Sequence, residues 1–196
     1  MTDQPTSWID QIREQNAVFQ RRVDPHKLPV GRTPGSVAVI TCMDPRVNLE
    51  ALGIPGFSSA GEGISSVRVI RTIGAMAEER SLIVGLFLAG IREVAVVMHT
   101  DCGCCLAYSK IDAIVENMRK RLTADQFEGY RAEVGEPFTE NLRARLKAFA
   151  DPREAVQREV ASIRALPYIP PDLIVHGLVY ELESGRIEVV VDGTTR

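Results

Sequence analysis

Three short segments rich in valine and isoleucine constrain the fold of this chain more than any other feature. They lie at residues 37–41, 67–71 and 93–98. A helical pattern over residues 78–89, ending at Gly90, separates the second segment from the third. Strands that are apolar along nearly their whole length, alternating with helices, are typical of a parallel sheet covered on both faces. We therefore predict an α/β fold with a mostly parallel central β-sheet flanked by helices.

The second half of the chain continues this alternation. Apolar residues recur at helical spacing from Leu106 to Leu166, and Asp151-Pro152 supplies a cap and a first-turn proline for the last of these helices. Residues 173–182 and 187–191 then predict a hairpin-like pair of strands joined by residues 183–186. Shorter patterns predict a helix at residues 47–52 and a loop at residues 53–63.

The N-terminal segment predicts a separate helix. Ser7 and Asp10 have the spacing of a capping box, and an incomplete apolar stripe runs from Trp8 to about Arg22. We predict an N-terminal helical arm and connector over residues 1–34, followed by a single α/β domain over residues 35–196 that contains the functional residues described below. The apolar face of the arm must cover a surface on its own domain or on a partner.

Composition excludes several classes of function. The chain has 196 residues and a formal net charge of −3, so no strong positive field recruits nucleic acid or an anionic membrane surface. No apolar run approaches the roughly 20 residues that a membrane helix needs, and the polar start does not resemble a signal peptide. We expect four cysteines in a chain of this size to be thiolates or metal ligands in a reducing, cytoplasmic setting.

Two clusters of reactive side chains follow two of the predicted strands. Cys42, Asp44 and Arg46 follow the first strand, and His99 and Cys102 follow the third. The carboxyl ends of parallel strands are where such sheets form their sites, so the two clusters are expected to meet. Two thiolates and an imidazole are preferred zinc ligands, and a set of three leaves a position open, as in catalytic zinc sites. We predict a zinc site formed by Cys42, His99 and Cys102.

Asp44 and Arg46 allow two arrangements beside that metal. Paired with Arg46, the carboxylate can accept a hydrogen bond from zinc-bound hydroxide and orient it. Released from Arg46, it can occupy the fourth zinc position and close the site. Both arrangements are open from the sequence alone.

A redox function is the competing interpretation of the same region. Cys102 and Cys105 form a C-x-x-C pattern between a strand and a helix, as in dithiol oxidoreductases. That interpretation leaves four residues without a role, namely Cys42, Asp44, Arg46 and His99, so we rank it below zinc. We interpret His26 as solvated and His176 as a satisfied core or interface residue, and the short Gly61-x-Gly63 pattern as part of a loop.

Taken together, the motifs resemble those of the β-class carbonic anhydrases. The resemblance rests on Cys42-x-Asp44-x-Arg46, on His99-x-x-Cys102-Gly103, and on three further segments. These are Val69-Ile70-Arg71-x-x-Gly74, Ser81-Leu82, and His176-Gly177-Leu178-Val179-Tyr180 with Ser184-Gly185. It is close over residues 35–105 and looser over residues 150–192.

This resemblance implies zinc held by Cys42, His99 and Cys102, with Asp44 and Arg46 as a gating pair. It implies reversible hydration of carbon dioxide to bicarbonate through zinc-bound hydroxide, with the Gly103 backbone positioning the substrate. It also implies a homodimer or higher homo-oligomer in which the N-terminal helix wraps around the partner.

Two other functions share the predicted zinc site. Thr72 and Ile73 replace the Asn-Ala pair of many family members, and the subgroup that the motifs resemble also includes carbonyl sulfide hydrolases. Hydrolysis of carbonyl sulfide at the same site is therefore one alternative. A non-catalytic zinc-binding regulatory protein, with Asp44 permanently closing the site, is the other.

Overall fold

The computed structural model describes residues 7–22, 35–54 and 67–195. Its helices are Trp8–Arg22 (α1), Glu79–Phe87 (α2), Gly103–Ser109 (α3), Ile111–Arg121 (α4), Ala124–Val134 (α5), Phe138–Arg145 (α6) and Pro152–Arg164 (α7). Its strands are Val37–Cys42 (β1), Val67–Thr72 (β2), Glu93–His99 (β3), Ile174–Tyr180 (β4) and Ile187–Val191 (β5). Short 3-10 turns lie at Leu49–Leu52 and Ile73–Ala75.

The strands form one sheet in the order β2-β1-β3-β4-β5. Strands β2, β1, β3 and β4 are parallel, and β5 returns antiparallel to β4 as the second strand of the predicted hairpin. The chain moves outward from β1 to β2 and then crosses back to β3 on the other side of β1. Strands β1 and β3 are therefore neighbours at the point where the strand order reverses, which is where open α/β sheets form sites. The predicted mostly parallel α/β fold is confirmed.

The two central strands are almost entirely buried. Only the first residue of β1 is not fully buried, and β3 is buried throughout its second half. Helix α7 packs against β3 and β4 through residues such as Val156 and Val160, which approach Gly177 of β4 closely. Such a core holds the carboxyl ends of β1 and β3 rigidly, because close-packed interiors leave side chains little freedom.

The helical segment between β3 and α7 contains a second apolar cluster. Its fully buried members are Ile111, Phe127, Phe138 and Leu142, contributed by helices α4, α5 and α6. The rings of Phe127 and Phe138 meet edge to face, with centroids 5.7 Å apart. The predicted helical character of residues 106–166 is confirmed, but the sequence did not indicate that α4–α6 would form their own small core beside the main one.

Helix α1 contributes no residue to either apolar cluster and has no buried residue. The predicted capping contacts are present, since the Asp10 amide donates to Ser7 Oγ over 3.2 Å. Trp8 and Ile12 are exposed on this helix, at 74% and 44% of their full surfaces. Within the described part of the chain, no helix combines the length and the apolar character that crossing a membrane requires.

Local boundaries differ from the sequence predictions in small ways. The predicted helix at residues 47–52 is a 3-10 turn at Leu49–Leu52, which the αL conformation of Gly53 ends after a single turn. The predicted connector with His26 and most of the loop at 53–63, including Gly61-x-Gly63, lie outside the described residues. The division of the chain at residue 34 stays a prediction.

Candidate metal centre

Three side chains from separate parts of the sequence meet at the carboxyl edge of the sheet. Cys42 is the last residue of β1 and His99 is the last residue of β3. Cys102 follows after a two-residue loop and forms the N-cap of α3. The two strands are hydrogen-bonded neighbours, so a separation of 57 residues in sequence between Cys42 and His99 becomes a single step across the sheet.

The three side chains form a compact, buried set of ligand atoms. Their metal-binding atoms all lie within 4.8 Å of one another, and the exposed fractions of Cys42, His99 and Cys102 are 1%, 0% and 2%. The two sulfur atoms are 3.9 Å apart. Two thiolates bound about 2.3 Å from a tetrahedral zinc ion lie about 3.8 Å apart, so the observed spacing fits such an ion. Among the described residues, this is the one group of three or more His, Cys, Asp or Glu side chains with that closeness.

The imidazole of His99 is oriented for metal binding. Its Nδ1 lies 2.8 Å from the carbonyl oxygen of Thr100, which can only accept, so Nδ1 carries the proton. The other nitrogen, Nε2, is buried and has no hydrogen-bond partner among the described residues. An orphaned buried nitrogen is costly, and a metal ion in the thiol pair would satisfy it. A backbone carbonyl fixing the tautomer is the usual support for a ligating histidine.

The pKa values of Cys42, His99 and Cys102 are all raised. The hydrogen bond with Cys102, together with burial, raises the pKa of the Cys42 thiol to about 11. The neighbouring Cys104 side chain raises the pKa of Cys102. Burial lowers the pKa of His99, but the adjacent Cys42 and the Thr100 carbonyl outweigh burial and leave that pKa raised. Without a cation both thiols are protonated near neutral pH, so a metal that binds here must displace their protons.

Asp44 and Arg46 lie beside this group and are paired with each other. Arg46 donates from Nε to Asp44 Oδ1 over 3.0 Å and from Nη2 to Oδ2 over 2.7 Å. The Arg46 backbone amide adds a third hydrogen bond, to Asp44 Oδ1 over 2.9 Å. These contacts hold the pKa of Asp44 far below its usual range, so Asp44 is an anionic acceptor. Of the two arrangements considered from the sequence, this structure has the one with Asp44 on Arg46.

Arg71 is a site residue to which the sequence analysis assigned no role. Its Nη1 donates to the carbonyl oxygens of Cys42 and Asp44, over 3.0 and 3.2 Å, and its Nη2 donates to that of Val47 over 3.1 Å. These three bonds fix the backbone that carries Cys42, Asp44 and Arg46. An arginine near the carboxyl end of β2, at the edge of the sheet where the two clusters were expected to meet, was the available signal.

The remaining predicted residues lie around the metal group. Gly103 opens α3 directly after Cys102, and a side chain there would meet Ile73 Cδ1 at 3.8 Å. Cys104 is buried, and its amide lies 3.5 Å from Cys102 Sγ. Cys105 is only partly buried and is not one of the three grouped ligands. The C-x-x-C pattern therefore does not define the cluster that the fold brings together.

His176 is placed as the sequence analysis interpreted it. It lies in β4, where its Nε2 is 3.1 Å from Glu93 Oε1 and its Nδ1 accepts from the Gly193 amide over 3.0 Å. Both ring nitrogens are thus occupied by protein groups, and the residue is structural. His26 lies outside the described residues.

Comparisons with known proteins agree with this geometry. Residues 37–187 match the model of a family described as carbonic anhydrase. Carbon disulfide hydrolase of Acidithiobacillus thiooxidans is 28% identical over 170 residues, covering 81% of this chain and 74% of that protein. β-Carbonic anhydrase 1 of Mycobacterium tuberculosis is 27% identical over 158 residues, covering 79% and 81%. The solved β-carbonic anhydrase isoform I of Trichomonas vaginalis superposes with a TM-score of 0.76 at 23% identity, covering 95% and 99%.

Proposed function

This chain belongs to the carbonic anhydrase family, and we propose that it catalyses the zinc-dependent, reversible hydration of carbon dioxide to bicarbonate. The observation that carries the proposal is the buried group of Cys42, His99 and Cys102 beside the ion-paired Asp44. Three ligands leave one coordination position open, as a catalytic zinc site requires.

We propose that Cys42, His99 and Cys102 hold the zinc ion. When bound, that ion supplies Lewis acidity that lowers the pKa of a water molecule from ~15.7 to about 7. Two thiolates and a neutral imidazole balance the +2 charge of the ion, so the centre is formally neutral. Burial of all three side chains keeps competing water away from the ligand atoms.

Asp44 is proposed as the acceptor that orients the attacking water. Arg46 binds both carboxylate oxygens and holds Asp44 as an anion. Because Oδ1 already accepts two hydrogen bonds of 3.0 Å or less and Oδ2 accepts only one that short, Oδ2 is the oxygen proposed to accept the hydrogen bond from that water. A fixed acceptor restricts the direction in which the water presents its own lone pair, and such orientation lowers the barrier to attack. Arg46 positions Asp44, and the backbone amide of Gly103 is proposed to hold an oxygen of carbon dioxide or bicarbonate.

The test is stopped-flow hydration of carbon dioxide by zinc-loaded protein between roughly pH 6 and 9, the span around the shifted pKa of water. We expect rates well above background. The variant Asp44→Ala should retain zinc and lose most of the rate, whereas His99→Ala should lose zinc and activity together. Background rates from fully zinc-loaded wild-type protein would refute the proposal.

Hydrolysis of a sulfur analogue of carbon dioxide is the second candidate. The sequence identity to carbon disulfide hydrolase is 28%, against 27% to β-carbonic anhydrase 1, and the apolar Ile73 lies close to Gly103. Carbonyl sulfide and carbon disulfide offer the same electrophilic carbon with larger, less polar ends. Sulfide release from each compound by the same zinc-loaded preparation decides between the substrates, because hydration of carbon dioxide yields none.

A non-catalytic zinc protein, permanently closed by Asp44, is the third possibility considered from the sequence. The pairing of Asp44 with Arg46 supports the catalytic proposal over this one, because the carboxylate is bound to the guanidinium and is not one of the grouped ligands. A zinc-loaded crystal structure with Asp44 on the metal at both low and high pH would overturn that preference.

The exposed apolar face of α1 supports a homodimer. Trp8, Ile9 and Ile12 lie on this helix without being buried by the described part of the same chain. A second copy of the chain is the partner that we propose for this face, with carbon dioxide and bicarbonate as the small-molecule partners.

A further inference from the structure

The guanidinium of Arg46 is held by two carboxylates and not by Asp44 alone. On the side away from Asp44, Arg46 Nη1 donates to Asp101 Oδ2 over 2.7 Å, and Nη2 donates to the Asp101 carbonyl oxygen over 3.0 Å. Asp44 takes the edge formed by Nε and Nη2. Since arginine has five N–H donors in a planar fork, both residues can be bound at once without competing for the same hydrogen.

The backbone of Asp101 is set so that its carboxylate and its carbonyl both reach Arg46. Its φ is +52°, a left-handed conformation that few residues other than glycine, asparagine and aspartate adopt readily. The preceding Thr100 fixes the loop, because its amide donates to the Tyr180 carbonyl and its Oγ1 accepts from the Leu182 amide, each over 3.0 Å. Cys102 follows immediately as a proposed zinc ligand and the N-cap of α3.

Arg46 needs such support because its own side chain is half exposed, at 51%, while Asp44 is only 16% exposed. A long arginine stem loses considerable rotamer freedom when it is held in one geometry. An arginine attached only to Asp44 would move in and out of that contact, and the carboxylate beside the metal group would move with it. A second attachment on the opposite edge restricts that motion.

We propose that Asp101 is a positioning residue, which clamps Arg46 and thereby holds Asp44 in the orientation needed for the reaction. The clamp links the loop that carries Cys102 to the segment that follows Cys42. It therefore ties the acceptor Asp44 to both halves of the metal centre. The kinetic part of this inference rests on the proposed function, but the clamp itself is a property of the protein without substrate.

The first test measures the order of the Arg46 side chain directly. In metal-free, reduced protein, NMR relaxation of the Arg46 Nε–Hε group should show a restricted side chain. Asp101→Gly should lower its order parameter clearly and Asp101→Asn less, because asparagine keeps an acceptor but loses the charge. Glycine and asparagine both adopt the left-handed conformation found at residue 101, so neither substitution strains the backbone. Backbone strain alone therefore predicts no change in the Arg46 order parameter.

Asp172→Asn is the matched control. Asp172 forms an exposed ion pair with Arg92 over 3.3 Å, and neither residue belongs to the metal centre. This variant removes the same charge and should leave the Arg46 order parameter unchanged. An Arg46 side chain equally ordered in wild type, Asp101→Asn and Asp101→Gly would overturn the proposal.

The second test is a double-mutant cycle on the zinc-loaded enzyme. Asp101→Gly should lower kcat/KM by about two- to fivefold with KM little changed, the range expected for an exposed charge pair. In an Arg46→Ala background the same substitution should have no further effect, because Asp101 acts only through Arg46. Equal losses in both backgrounds would show a different role and refute the clamp.

The two tests separate this inference from the proposed function. Loss of Arg46 order in Asp101→Gly, in a protein that does not hydrate carbon dioxide, would leave the clamp intact and remove only the assigned reaction. If wild-type protein hydrates carbon dioxide but the Arg46 order parameter is unchanged in Asp101→Gly, the clamp is refuted and the proposed function stands.

Discussion

At the residue scale, the metal group gains its chemistry from burial and proximity together. Cys42, His99 and Cys102 are ordinary side chains in sequence, and each alone is more often a packing residue than a ligand. Placed within 4.8 Å of one another and out of water, they would offer two sulfur ligands and one nitrogen ligand to a single cation. Nε2 of His99 has no hydrogen-bond partner in the described part of the chain, and a bound cation would satisfy it.

A pair of cysteine variants separates zinc chemistry from dithiol redox chemistry. Cys102→Ser should reduce bound zinc from about one ion per chain to nearly none, because it removes one of three ligands. Cys105→Ser should leave zinc content and activity within about twofold of wild type, since Cys105 is outside the grouped ligands. Metal analysis by mass spectrometry, with activity measured alongside, checks both. Equal loss in the two variants would favour the dithiol interpretation.

At the element scale, the connection between β2 and α2 packs closely against Cys104, which lies in α3 two residues after Cys102. Gly74, in the 3-10 turn at Ile73–Ala75, has φ +65°, and a Cβ added there would lie 2.6 Å from Cys104 Sγ and 3.2 Å from Phe149 Cε1. Glycine is required here for two independent reasons, conformation and space. Two residues after this turn, the Ala77 amide donates to the buried carboxylate of Glu159 over 2.8 Å.

Replacement of this glycine should therefore destabilise the protein. Gly74→Ala is expected to lower the free energy of unfolding by about 1–3 kcal/mol, from overpacking and a strained backbone. Urea unfolding of the reduced, metal-free protein measures it. Gly129→Ala is the control, because no heavy atom lies within 4 Å of an added Cβ there. That change in helix α5 should stabilise by up to about 1 kcal/mol, and a similar loss in both variants would contradict the packing argument.

The β4–β5 hairpin carries an acid-sensitive ion pair. Glu181 accepts hydrogen bonds from Arg186 and Ser184, and these lower its pKa from 4.5 to about 2. A depressed carboxylate pKa contributes stability that is present above the unfolded-state value and is lost as the pH falls toward the folded-state value. This contribution should disappear between about pH 4.5 and 2.

Thermal unfolding across that interval checks the contribution of Glu181. Glu181→Gln should lower the melting temperature at neutral pH and show a shallower decline on acidification than wild type. Glu183→Gln removes a carboxylate from the same turn while leaving the contacts between Glu181 and Arg186 in place, so its decline should match wild type. Parallel curves for wild type and Glu181→Gln would show that the pair adds nothing.

At the scale of the whole molecule, the exposed apolar residues of helix α1 are the reason to propose a second chain as a partner. Helix α1 exposes Trp8, Ile9 and Ile12 and contributes no residue to either apolar cluster. Exposed apolar side chains that are concentrated on one helix are typical of an interaction surface. A second copy of the chain is the proposed occupant.

A single charge on the apolar face of α1 should weaken the proposed dimer. Ile12→Glu is expected to raise the dimer dissociation constant about tenfold or more, because burial of an isoleucine is worth ~1.5–3 kcal/mol. Sedimentation across a concentration series measures this. Ala17→Glu places the same charge on the opposite side of the helix and should have little effect. Equal behaviour of the two variants would contradict a role for this face.

The sequence by itself determined the alternation of strands and helices, the carboxyl-end position of both reactive clusters, and the identity of the grouped residues. It could do so because apolar periodicity is local and because residue chemistry limits which ions are bound. Only the tertiary structure decided which of the two local arrangements Asp44 takes, namely the pair with Arg46. It also decided the contacts between distant groups: Arg71 with the Cys42 carbonyl, and Asp101 with Arg46 from 55 residues away. A hydrogen bond forms only when its two atoms lie about 3 Å apart. Spacing along the sequence does not show which distant residues the folded chain brings that close.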